Sequence, residues 1–166
     1  MEQPLEKKHE PALECAVEFL EVLPLIMGSL QCELRHDPAT TLTMVQFRTL
    51  AFLSKHGTAS VSQIADFLGL GLPATSKIVD GLVTSRAISR RGDPADRRRV
   101  LLEISNTGRN ELLATRAITH NHLAELLSPL AEADRARLLD ALRSLRPIFV
   151  KFSSGTCPDS LPHEKV

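Results

Sequence analysis

Ser60-Val61-Ser62-Gln63-Ile64-Ala65-Asp66-Phe67-Leu68-Gly69-Leu70-Gly71-Leu72-Pro73-Ala74-Thr75-Ser76-Lys77-Ile78-Val79 is the stretch on which the fold turns. Ser60 and Gln63 have the spacing of a capping box, in which the serine oxygen accepts one orphan N–H of a helix start and the glutamine reaches back to another. Ile64, Ala65, Phe67 and Leu68 then supply the apolar side of a short helix. Gly69-Leu70-Gly71 ends it, and Pro73 suits the first position of the next helix because its φ is already near the helical value. Ile78, Val79, Leu82 and Val83 mark the buried face of that second helix. Two short helices joined by a glycine-containing turn make a helix-turn-helix.

Downstream the period changes from helical to alternating. Ile88-Ser89-Arg90-Arg91, the turn Gly92-Asp93-Pro94-Ala95-Asp96, and Arg97 to Ile104 read as two strands around a loop, with Val100, Leu102 and Ile104 on one face. Helix-turn-helix plus hairpin is a winged helix. Upstream, Thr43 can cap a helix whose buried face carries Met44, Phe47, Leu50 and Ala51 and which stops near Lys55-His56-Gly57. Before it, Leu13, Val17, Leu20, Leu23, Met27, Leu30 and Leu34 form a helical stripe, which Pro24 should kink or restart. After the hairpin, helical spacing resumes past Thr107 through Leu112, Leu113, Ile118, Leu123, Leu126 and Leu127, and Pro129 ends it. A last helix carries Leu138, Leu139, Leu142, Leu145, Phe149 and Phe152, with a bend expected at Pro147.

The fold class expected is therefore mostly α with a small β-hairpin, a winged helix-turn-helix with N- and C-terminal dimerisation helices. Residues 1–42 form an N-terminal extension and dimerisation helix, 43–106 the winged helix-turn-helix, 107–152 the C-terminal dimerisation helices, and 153–166 a tail expected to be disordered. The terminal helices carry apolar stripes beyond what a small winged-helix core can cover, so a homodimer is expected.

Composition agrees with a single folded unit: 166 residues, 43% hydrophobic and 24% charged, too apolar for a disordered chain and too short for a multi-domain machine. No run approaches the roughly 20 apolar residues of a membrane span, and the N-terminus lacks the basic-then-apolar order of a secretory signal, so a cytoplasmic protein with no membrane partner is expected. Cys15, Cys32 and Cys157 are odd in number and form no CxxC pair, which fits neither a disulfide framework nor a zinc ribbon. His120 and His122 lie two apart and face different ways on a helix, as surface histidines rather than a metal pair. With no GxGxxG, P-loop, GxSxG or HExxH motif, neither an enzyme nor a cofactor is expected.

Net charge is zero, but it is unevenly spread. Residues 1–21 carry six acids against Lys7 and Lys8, whereas residues 84–100 carry six arginines against Asp93 and Asp96. That basic segment coincides with the hairpin. The helix opened by Pro73 can lie in a major groove, its first turn (Pro73, Ala74, Thr75, Ser76, Lys77) presenting backbone N–H groups and short side chains to phosphates and base edges. Ser76 and Lys77 are the best-placed donors; Thr75 either contacts DNA or supports the turn. Arg90, Arg91, Arg97, Arg98 and Arg99 can contact phosphates or enter a minor groove. Asp96 can hold one guanidinium in a fixed fork, the competing reading being an incidental surface acid.

The segments Gln46-Phe47-Arg48-Thr49-Leu50, Ile64-Ala65-Asp66-Phe67-Leu68-Gly69, Ser76-Lys77-Ile78-Val79-Asp80-Gly81-Leu82, Asp96-Arg97-Arg98-Arg99 and Ile104-Ser105-Asn106-Thr107-Gly108, in this order, resemble the MarR family of bacterial transcription regulators over about residues 43–109. Two departures are Ile104-Ser105 in place of the usual Leu-Thr, and Arg86 or Ala87 in place of the usual glycine before the first wing strand. The resemblance implies a homodimer with intertwined terminal helices, double-stranded DNA as partner at a pseudo-palindromic operator, and control by a small organic effector or by thiol oxidation. A thiol switch needs cations or a helix N-terminus near the sulfur, whereas Cys15 has Glu14 and Glu18 as neighbours and Cys32 has Glu33. The reading is therefore a ligand-responsive repressor with its pocket between the dimer helices and the DNA-binding lobe. The alternatives are a thiol-based redox sensor, and a winged-helix protein-interaction or structural module without DNA binding.

Arg98→Ala should weaken binding to every duplex alike and reduce the slope of log affinity against log salt by about 1, the signature of one lost phosphate contact. Equal affinity of the variant and the unaltered protein at both low and high salt would remove Arg98 from the interface.

Overall fold

The computed structural model of the chain describes residues 10–92 and 100–153. The element order is α1 (Glu10–His36), α2 (Met44–His56), β1 (Thr58–Ala59), α3 (Val61–Leu68), α4 (Leu72–Thr84), β2 (Ile88–Gly92), β3 (Val100–Ile104), α5 (Asn106–Leu127) and α6 (Glu132–Ser153). The strands form an antiparallel sheet in the order β1-β3-β2, with Ile88 opposite Ile104, Arg90 opposite Leu102 and Ala59 opposite Leu102 on the other edge. The mostly helical winged helix-turn-helix read from the sequence is the architecture observed. The two-residue strand β1 was not expected, since two residues cannot display a period.

Local chemistry explains most boundaries. Thr43 and Ser60 both form complete capping boxes, with Gln46 and Gln63 as the returning side chains. α3 ends at Gly69, whose φ of 68° lies in the left-handed region that glycine enters without a Cβ clash. α4 begins one residue before Pro73, with Gly71 as its N-cap, so the proline occupies the second helical position rather than the first. α1 continues through Pro24 and α6 through Pro147. Each proline removes its own backbone donor and crowds the carbonyl four residues back, a local cost that the neighbouring turns absorb as the helix continues.

The core lies where α2, α3, α4 and the sheet meet. Leu50, Leu53, Ile64, Val79, Leu82 and Leu102 are fully buried, each stabilising the fold by about 1.5–3 kcal/mol relative to exposure. Leu102 and Ile104 are the inward residues of β3, while Val100, at the wing end, is exposed.

At the exit of α4 the chain makes a Schellman turn: Ala87 N–H donates to Leu82 O and Arg86 N–H to Val83 O. Its left-handed position is Arg86, at φ 62°, so the departure from glycine noted in the sequence falls on Arg86 and not on Ala87. Ser105 closes the other side. Its N–H donates to Ala87 O, its hydroxyl lies 2.6 Å from Arg86 O and 3.0 Å from Ala87 O, and its oxygen accepts the N–H of Gly108 as the N-cap of α5. Gly108 is required by space: a Cβ built there would lie 2.0 Å from Ala87 O.

α5 buries a different face from the one its leucines suggest. Gly108, Leu112, Thr115 and Thr119 are buried, while Leu113 and Leu126 are exposed. Thr115 exchanges a hydroxyl hydrogen bond with Thr40 at 3.0 Å, which ties the loop between α1 and α2 onto α5. His122, expected at the surface, is partly buried between α1 and α5, with Ser29 Oγ 2.6 Å from Nε2 and Glu33 Oε2 3.2 Å from Nδ1. Of the α1 stripe only Leu34 is buried; Leu13 and Leu20 keep 65% and 69% of their surface exposed in the single chain, and Leu25, off the stripe, keeps 72%. Phe19 stacks on Phe149 of α6 at 5.9 Å between ring centroids. Among the described residues no helix is long and apolar enough to cross a membrane.

Two substitutions at the α4–wing–α5 junction should move stability in opposite directions. Arg86→Gly should raise the unfolding free energy by about 0.5–1 kcal/mol, the left-handed strain relieved less the added freedom of the unfolded glycine. Gly108→Ala should lower it by about 1–3 kcal/mol through overpacking against Ala87. Urea titration of both variants measures the difference, and a Gly108→Ala protein as stable as the original would refute the close approach.

Candidate nucleic-acid interface

The side chains singled out in the sequence converge on the outer surface of α4 and the adjoining wing. α4 packs inward through Thr75, Val79 and Leu82, so the opposite side of the helix, the stripe of Pro73, Lys77 and Thr84 flanked by Ala74 and Asp80, faces outward. Its first turn has no side-chain cap: Gly71 offers none, and with Pro73 lacking an N–H and Thr75 N–H donating to Gly71 O, the N–H groups of Leu72 and Ala74 are the ones left for an outside partner. Pro73, Ala74 and Lys77 are exposed and Ser76 is half-buried. Thr75 is 0% exposed, and its hydroxyl donates to Gly71 O at 3.1 Å. Of the two roles read for Thr75, supporting the turn is the one its position allows, and its place among the direct contacts is corrected accordingly.

Arg90 and Arg91 stand exposed on β2, on opposite faces of the hairpin as the two-residue period of a strand requires. Neither is a bare cation. Arg90 Nη2 donates to Asp80 Oδ1 at 2.5 Å, and Arg91 lies 3.9 Å from Glu103 Oε2. Asp80 was missed as a positioning group in the sequence because it lies ten residues before Arg90 on another element, a separation that no helical or strand spacing connects. Asp96, Arg97, Arg98 and Arg99 lie outside the described residues, as does Cys157. Arg86 is a further exposed cation at the base of the wing. Arg48, from α2, lies over the Phe67 ring at 5.3 Å from its centroid.

Behind this surface, an open cleft of about 400 Å³ lies between α2, α3 and α5. Phe52 and Phe67, 4.6 Å apart between centroids, supply its apolar wall, and Lys55, His56 and Arg116 its polar rim. The free thiols Cys15 and Cys32 are exposed on α1. Cys32 Sγ lies 3.6 Å from His36 Nδ1, while Arg35, the cation nearest in sequence, turns its Nε to Gln31 O.

Residues 40–99 match the MarR family model. A Bacillus subtilis (strain 168) protein described as an uncharacterized HTH-type transcriptional regulator, YfiV, is 32% identical over 91 residues, which cover 53% of this chain and 57% of that protein, little more than half its length. Wild-type MarR from E. coli in its apo form superposes with a TM-score of 0.71 at 21% identity, over 78% of this chain and 94% of that one. BpsR from Bordetella bronchiseptica, solved to explain regulation of its DNA binding by 6-hydroxynicotinic acid, superposes with a TM-score of 0.59 at 20% identity, over 79% and 91% of the two chains. At these identities the two structural likenesses are likenesses of fold.

The contrast between Thr75 and Lys77 is testable without DNA. Thr75→Val keeps the shape but removes the hydroxyl bond to Gly71, and should cost about 1 kcal/mol of stability. Lys77→Ala should leave the unfolding midpoint unchanged. Chemical denaturation checks both, and the reverse order of effects would mean that α4 is turned the other way.

Proposed function

We propose that this chain, whose residues 40–99 match the MarR family model, is a transcription regulator of that family and acts as a homodimeric, ligand-responsive repressor on a pseudo-palindromic duplex operator. The observation that carries the DNA reading is α4: an uncapped first turn with Pro73, Ala74, Ser76 and Lys77 at its surface, rigidly backed by the buried Thr75, Val79 and Leu82. A helix so presented can enter a major groove by its N-terminal turn, with the wing reaching the adjacent backbone or minor groove.

The dimer reading is supported by α1 and α6. Leu13, Leu20 and Leu25 on the first, with Leu142 and Ile148 on the second, leave more apolar surface exposed than a soluble monomer carries without a partner. A second copy related by a two-fold axis would cover like surface with like and set two copies of α4 about one helical turn of DNA apart, near 10 base pairs. The effector reading is supported by the cleft. Its size lies within the range of small-molecule sites, and two phenylalanines beside Lys55 and Arg116 suit a flat molecule bearing an acidic group. The DNA binding of the structural neighbour BpsR is regulated by one aromatic acid, 6-hydroxynicotinic acid.

Sedimentation at micromolar concentration should give a dimer, and the protein should retain genomic duplex fragments sharing an inverted repeat. Members of a set of small aromatic acids should then release those fragments, and Arg116→Ala should blunt the release without weakening DNA binding. A dimer that retains no fragment even at low salt would instead favour a winged helix used for protein contact.

A further inference from the structure

The surface of α4 is poor in the side chains that read purines. No arginine, asparagine or glutamine occurs anywhere in Leu72–Thr84. Paired hydrogen bonds to adenine come from asparagine or glutamine, which α4 lacks, and those to guanine from arginine or lysine, so its donors toward base edges reduce to Ser76 and Lys77. Its acid, Asp80, could accept from cytosine but is engaged by Arg90. Thr75 is buried. Lys77 remains as a cation on the exposed stripe, equally suited to a phosphate or a guanine edge.

The first turn offers apolar surface instead. Pro73 and Ala74 are exposed, and Leu72 beside them keeps 52% of its surface in solvent. Pro73 shares the outward stripe with Lys77, four residues on, and Ala74 borders it, both away from the buried Thr75 and Val79. Apolar side chains at the start of a helix have one counterpart on the major-groove edge of the bases, the C5 methyl of thymine. In helix-turn-helix docking it is the N-terminal residues of the second helix that meet base edges.

We propose that Pro73 and Ala74 read thymine methyl groups, so that each half-site is specified by the positions of its thymines rather than by hydrogen bonds to purines. This inference rests on the duplex-DNA reading above and names the chemistry by which that same surface discriminates. Lys77 adds affinity that depends little on sequence. Arg90, held against Asp80, orients the wing beside the helix and reads no base.

The full chain selects duplexes from a library with a randomised centre, and each thymine of the selected half-site is then replaced singly by deoxyuridine, which removes only the C5 methyl. At the thymines under α4 the replacement should weaken binding about fourfold, the factor given by burying one methyl-sized apolar group. That penalty should vanish in Ala74→Gly or Pro73→Ala for the thymine each residue covers. The deoxyuridine series uses the unaltered protein, so it decides the matter even where a variant fails to fold. A specific selected sequence in which deoxyuridine is tolerated at every position would overturn the methyl reading and leave the DNA reading standing. Selection of no sequence, with no retention of any duplex at low salt, would overturn both.

Discussion

The carbonyl of Ala87 is the point through which three elements are held in fixed relation. It accepts the N–H and lies within hydrogen-bond reach of the hydroxyl of Ser105, while Ala87 itself completes the turn that ends α4. Gly108 lets α5 start directly against it. The end of α4, the base of the wing and the start of the long helix α5 thus meet within one hydrogen-bonded cluster. Ala87 is fully buried, so leaving its carbonyl unpaired would cost about 1–3 kcal/mol, which couples the three elements that meet there. The strain of Arg86 in the left-handed region, of order 1–2 kcal/mol, persists because the surrounding bonds over-determine that conformation.

This rigidity gives α5 a mechanical role. α5 is tied at one end to the helix-turn-helix, near its middle to the loop between α1 and α2 through Thr115 and Thr40, and further on to α1 through His122 with Ser29 and Glu33. A displacement of α1 against a second copy would therefore be passed through α5 toward the position of α4. The cleft bounded by Phe52, Phe67 and Arg116 sits between α2, α3 and α5, where a bound molecule would act as a wedge between the reading unit and that lever. Coupling of this kind requires only that the two ligands favour different spacings of α4 and its symmetry mate.

Legibility in the sequence followed the range of the interactions. Capping boxes, the Gly69 turn and the alternation of Leu102 with Ile104 are local, and they make the helix-turn-helix and the wing readable from sequence alone. The wing arginines stand out as a charge cluster, although Asp96, Arg97, Arg98 and Arg99 lie outside the described residues. What the sequence concealed is made of contacts between distant positions. The Asp80–Arg90 pair joins a helix to a strand, and the buried face of α5 is built on Gly108, Leu112, Thr115 and Thr119 while Leu113 and Leu126 face out. An apolar stripe identifies surface that must be covered, but not by what; in α1 and α5 much of it is left uncovered by the chain's own core.

The charge arrangement bears on how such a protein would discriminate. The chain is neutral overall, and at the described part of the wing Asp80 and Glu103 partly offset Arg90 and Arg91. Exposed ion pairs of this kind contribute little to folding, typically no more than about 1 kcal/mol, so their consequence is geometric: each guanidinium is held in place rather than free to reach for any phosphate. Binding driven by unpaired cations is strong on all sequences alike and rises steeply as salt falls. On a duplex, tethering these two arginines would lower that indiscriminate term and would leave a larger share of the affinity to the surface of α4, where Leu72, Pro73 and Ala74 lie. Specificity is a difference between affinities, and a weak common term leaves it less hidden among competing sites.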